Sequence, residues 1–116
     1  MFNVYIAGPM RGYPEFNFPA FKAAEARVRW SIDSGGEQIH VFNPATMDEE
    51  ADGVDTKNMT GNEHISNMEV IIRRDMEAVL EVDAIYMMSG WEASLGARAE
   101  HALALWRGIK GLYEQG

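Results

Sequence analysis

The sequence contains no cysteine. That removes a disulfide framework and thiolate metal sites together. No apolar run approaches the roughly 18 residues that a membrane-spanning helix needs. The N-terminus lacks the basic region and long apolar core of a secretory signal, so the expected location is cytoplasmic. Basic residues are few: Lys and Arg number 10 against 18 Asp and Glu, a formal net charge of -8. A groove for a nucleic-acid polymer needs a basic stripe, and this balance argues against one. A small anion is still allowed, because one arginine with a ring of backbone N–H groups can hold a phosphate on an acidic protein. His40, His64 and His101 fall in no ligand spacing, and the GPMRG turn is neither a dinucleotide fingerprint nor a Walker loop. No metal and no cofactor are therefore expected. The acidic residues between 48 and 55 lack the glycine and spacing of a calcium loop and read as a solvated face.

What is present fits one domain over residues 1–116. A chain of 116 residues buries only about two thirds of its unfolded surface, so self-association would help it. Val4 to Ala7 is a short apolar run without alternation, which suits a parallel strand covered on both faces. Phe18, Phe21, Ala24 and Val28 recur at helical spacing and place a helix over 16–34, stopped by Gly35–Gly36. QIHVF (38–42) reads as a second strand closed by Asn43–Pro44. Residues 45–66 are polar and long for a connection, which implies a lid or a short helix. Met68, Ile71, Ile72, Met76, Val79 and Leu80 form one helical stripe. DAIYMM (83–88) is a third strand. Ser94 is placed to cap a helix over 95–106, Gly108 ends it, and 109–113 completes the order as a fourth strand. This β-α-β-α-β-α-β order predicts a doubly wound parallel α/β sheet of four to five strands with helices on both faces. Ligands of such sheets bind beyond the carboxyl ends of the strands. The GPMRG and SGWEAS loops both follow strands and belong on that edge.

Two carboxylates stand out. Asp75 falls on the apolar stripe, four residues after Ile71 and four before Val79. There it must be paired, hydrogen-bonded or protonated; as plain structure it would be an ion pair with Arg73, Arg74 or Arg11. Glu100 follows Gly96 and Ala97 on its N-terminal side, which leaves room above the carboxylate; as plain structure it would pair with Arg98 or Arg107. Ser94 and the amides of Leu95 and Gly96 form an anion-binding helix terminus or a simple cap. Arg11 is either a ligand-facing arginine or a surface one. Tyr5 in the first strand is core or catalytic. Gly90–Trp91 offers an indole that stacks on a base or closes the core.

Three blocks in order, YIAGPMRG (5–12), RRDMEAVLEVDAIYMM (73–88) and SLGARAE (94–100), resemble the nucleoside 2-deoxyribosyltransferase superfamily, including its 2'-deoxynucleoside 5'-monophosphate N-glycosidase branch. The resemblance implies a flavodoxin-like fold. It also implies cleavage of an N-glycosidic bond through a glycosyl-glutamate ester, resolved by water or by a second base. Carried over, Glu100 is the nucleophile. Asp75 positions the sugar or protonates the leaving base, and Tyr5 lies near the nucleophile. Arg11 and Ser94 hold a 5'-phosphate, with Gly8 and Pro9 of the turn and Gly96 of the helix start around them. A retaining mechanism needs two carboxyls roughly 5 Å apart. The resemblance further implies a small nucleoside or nucleotide ligand and a homodimer or larger homo-oligomer. The alternative on the same fold is a module that binds a nucleotide or nucleotide-derived signal without cleaving it.

Overall fold

The structure, a computed structural model, describes residues 1–31, 35–52 (49–52 as backbone only) and 68–115. Its centre is a four-stranded parallel sheet of β1 (Phe2–Ala7), β2 (Ile39–Phe42), β3 (Ala84–Met87) and β4 (Lys110–Tyr113), in the order β2-β1-β3-β4. β1 and β3 are central, and the residues from Val4 to Ala7 and from Ala84 to Met87 are buried. This explains their unbroken apolar runs, because both faces of these strands are covered. The edge strands are partly exposed.

Helix α1 (Phe18–Ser31) covers one face. Its Phe18, Phe21, Ala24 and Val28 pack with Val4, Ile6, Tyr86 and Met88. Helices α3 (Met68–Glu81) and α4 (Leu95–Arg107) cover the other, where Ala78, Val79, Ala97 and Ala104 meet Tyr5, Ala7, Ile85 and Met87. The alternate residues of β1 thus serve opposite cores. This is the doubly wound arrangement expected from the element order, and it is flavodoxin-like, as the resemblance implies. The chain leaves β1 toward β2 on one side and leaves β3 toward β4 on the other. The carboxyl ends of β1 and β3 therefore flank the topological switch point, where such sheets bind ligands.

Local features refine the expectation, and some differ from it. The helix after β1 starts at Phe18, because a tight 3-10 turn, Pro14–Asn17, precedes it. Residues 32–34, part of the predicted helix, lie outside the described residues. A helix α2 (Pro44–Asp52) occupies the start of the polar 45–66 stretch, and 53–67 lie outside the described residues. The acidic run is not a uniformly solvated face, since Asp48 is only 1% exposed. The apolar stripe of α3 also splits. Asp75, Ala78 and Val79 are buried, while Ile72 and Leu80 are exposed. Among the described residues no helix is long and apolar enough to cross a membrane.

Candidate active site

A cleft of about 610 Å³ opens at the switch point. One wall is the loop after β1, including Gly8, Pro9 and Arg11. The second is α3, through Ile71, Asp75 and Met76, and the third is the start of α4, from Ser94 to Glu100.

The first loop is fixed by an unusual backbone. Glu15, Phe16 and Asn17 all take left-handed conformations, with φ of 52°, 54° and 62°. Side-chain sterics penalise this by about 1–2 kcal/mol per residue. Two contacts offset that cost. Phe16 is buried in the α1-side core, and the Asn17 side-chain amide donates to the Pro9 carbonyl at 2.8 Å. Gly8 lies against the end of β3: a Cβ there would come within 2.6 Å of Met88 Sδ and 2.9 Å of Met88 Cβ. Glycine thus lets the loop approach the sheet edge closely. Arg11 donates to the Met68 thioether at 3.1 Å and forms no ion pair among the described residues. Its charge is available to the cleft.

The start of α4 is capped as its sequence predicts. The Ser94 hydroxyl accepts from the Ala97 N–H at 3.2 Å. At Gly96 a Cβ would find only Ser94 Oγ, 4.0 Å away, so the space in front of the helix terminus is open. Gly108 closes the far end with φ of 87°. One and a half turns in, Glu100 points at the sheet, and the Tyr5 hydroxyl donates to its Oε2 at 2.6 Å. Tyr5 is fully buried beneath the cleft; Glu100 and Asp75 are 8% and 7% exposed.

The chain matches, over residues 2–113, the family described as "Domain of unknown function (DUF4406)". It belongs to that family. No curated protein and no solved structure matches it. The description of DUF4406 specifies no chemistry, so function has to be argued from this site.

The electrostatics of this DUF4406 site are set by burial. Loss of solvent pushes Glu100 up to about 8. The Tyr5 hydrogen bond opposes the rise, and the Asp75 charge adds to it. Burial also raises Asp75, to about 6, against the pull of the Arg74 guanidinium. The Tyr5 hydroxyl is held well above its ordinary value, by burial and then by the nearby Glu100 and Asp75 charges, so it remains a donor. Between about 6 and 8 these values leave one proton on the two carboxyls.

Of the residues singled out from sequence, Gly8, Pro9, Arg11, Asp75, Ser94, Gly96 and Glu100 all line this one cleft, and Tyr5 backs it. Gly90 and Trp91 are placed elsewhere. Gly90, at φ of 87°, lies against Pro9 and Tyr13 of the first loop without lining the cleft itself. Trp91 packs on His101 and Tyr113, with ring centroids 4.4 and 6.4 Å away, and His101 Nε2 lies 2.8 Å from the Tyr113 hydroxyl. Two residues that sequence reasoning did not place in the site belong to it electrostatically. Arg74 binds Asp75, and Asp48 of α2 binds Arg74. Arg73, the other nearby candidate, pairs with Glu69 instead. Among the described residues no group of three or more acidic, histidine or cysteine side chains is arranged to hold a metal ion.

Proposed function

We propose that the chain cleaves the N-glycosidic bond of a 2'-deoxynucleoside or its 5'-monophosphate. The observation that supports this most directly is the buried pair Glu100 and Asp75, both carboxyls raised by loss of solvent so that one proton is retained near neutral pH, at the wall of a cleft that also holds Arg11 and the N-terminus of α4. Glycosidic cleavage through a retained intermediate needs one carboxylate and one carboxylic acid. One proton on two carboxyls supplies both.

In this reading Glu100 attacks C1' as the bond to the base breaks, and its carboxylate stabilises the oxocarbenium-like charge before trapping it as an ester. Asp75 gives a proton to the leaving base. The nucleophile acts as the carboxylate, so the retained proton is the one that passes to the base as the sugar becomes cationic. The Tyr5 hydroxyl, bonded to Glu100 and within the field of Asp75, steadies the glutamate through that change. Water or a second base then resolves the ester. Arg11 and the Ser94 end of α4 form a phosphate-binding end, where a guanidinium and helix-terminal N–H groups act together. As a nucleotide enzyme of this size it is further expected to act as a homo-oligomer.

The test is base release. Each deoxynucleoside and each deoxynucleoside 5'-monophosphate is incubated with the protein, with and without a second free base, beside Glu100→Ala. Free base from one substrate, lost in the variant, supports hydrolysis. A new nucleoside formed only with the second base supports transfer. Nucleotide binding without any release would overturn the enzymatic reading in favour of a non-catalytic nucleotide-binding module.

A further inference from the structure

Resting on the glycosidase reading, we propose that Arg74 is a positioning residue. Clamped by the buried Asp48 of α2, it holds the Asp75 carboxyl at the cleft wall and sets how many protons the site retains. Arg74 and Asp75 are sequence neighbours on α3, and adjacent residues on a helix do not face each other. They touch here because the arginine side chain is long enough for its guanidinium to reach the neighbouring carboxyl. Its Nε and Nη2 reach Asp75 Oδ1 at 2.9 and 2.8 Å. The same Nη2 reaches Asp48 Oδ1 at 2.5 Å. Asp48 is 1% exposed, and a carboxylate at that depth is strongly unfavourable without a cation beside it. The need to neutralise Asp48 thus draws the arginine to where it also grips Asp75. α2 thereby becomes part of the site.

The charges facing Asp75 come from every side. Among the described residues they are Glu100 from α4, Asp48 from α2 and Arg74 on its own helix, with the neutral Tyr5 hydroxyl from β1 beside them and Arg11 of the first loop lining the same cleft. One guanidinium therefore serves two carboxylates at close range, with a third carboxyl nearby. Loss of solvent at Asp75 and Glu100 outweighs its pull, so a proton is retained there. Removing Arg74 should let the site take up a further proton; removing the Asp48 charge should release Arg74 to Asp75 alone.

These two changes push Asp75 in opposite directions, which defines the test. The side-chain carboxyl of Asp75 is followed by carbon NMR across pH in wild type, Arg74→Gln, Arg74→Lys and Asp48→Asn. The Asp75 midpoint should rise by about 1 unit or more in Arg74→Gln and fall in Asp48→Asn. Arg74→Lys should restore much of the wild-type midpoint while losing the two-point grip. In the base-release assay its kcat should fall about tenfold or more with KM little changed. General loosening of the fold would not produce shifts of opposite sign. Midpoints that stay put, or move the same way in the glutamine and asparagine variants, would overturn the proposal. If Arg74→Gln does not fold, Arg74→Lys and Asp48→Asn carry the test: a midpoint that fails to fall in Asp48→Asn overturns it. The titration needs no turnover. Absence of base release from wild type would count against the glycosidase reading alone, so the two ideas fail separately.

Discussion

Replacing Glu100 by glutamine should abolish base release and, as pH rises, make the protein more stable. In the folded chain burial lifts the Glu100 carboxyl from 4.5 to about 8. In the unfolded chain it ionises near 4.5. Below that pH both states are protonated and the group's contribution to stability is fully present. Between the two values the unfolded chain loses the proton first, and stability falls by about 1.4 kcal/mol per pH unit. Above about 8 the loss is complete, at roughly 3–5 kcal/mol. Glutamine has nearly the same shape, keeps an oxygen for the Tyr5 hydroxyl and never ionises. The variant should therefore match wild type near pH 5 and exceed it near pH 9. For a domain of this size 1 kcal/mol corresponds to about 4 °C in Tm, so the gap should reach on the order of 10 °C. Thermal unfolding of both proteins at pH 5, 7 and 9 measures it. The net charge of -8 affects the two nearly alike and cancels in the difference. A gap that stays flat over this range would refute the claim that Glu100 is held protonated by burial, and the one-proton argument for the site with it.

Two other outcomes follow from the same geometry. Base release, as kcat/KM, should be bell-shaped. It should rise through about 6, below which both carboxyls are protonated and no nucleophile remains, and fall past about 8, above which no acid remains. A profile flat from pH 5 to 9 would exclude the pair as acid and nucleophile. Ser94→Ala removes the cap on Ala97 and should cost about 1 kcal/mol, read as a lower Tm. It should also reduce any preference for a 5'-monophosphate over the nucleoside; an unchanged preference would limit Ser94 to capping.

Most elements were legible because their signals are local. The stop at Gly108, the cap at Ser94 and the 3.6-residue recurrence of Phe18, Phe21, Ala24 and Val28 depend only on near neighbours in the chain. The strand–helix alternation then left few topologies open, and with them the sheet edge where the site lies. Asp75 was visible as a charge on an apolar stripe. Its partner was not, because Arg73, Arg74 and Arg11 all had the reach. The burial of Asp48 was hidden for a related reason: within an acidic run, nothing local marks a carboxylate that turns inward. Trp91 could equally well have faced the cleft or the core. The left-handed turn at Glu15–Asn17 carries no glycine to announce it and depends on Phe16 reaching the core.

By itself, then, the sequence determined the α/β class, the order and approximate bounds of its elements, and the types of side chain available at one sheet edge. These follow from periodicity, capping and turn chemistry, which act over a few residues. Only the tertiary structure decided that Tyr5 meets Glu100 across 95 positions of chain, that Arg74 rather than its neighbours binds Asp75, and that Asp48 anchors it. Those choices depend on which groups lose water together, and a chain buries its charges only when distant elements close over them.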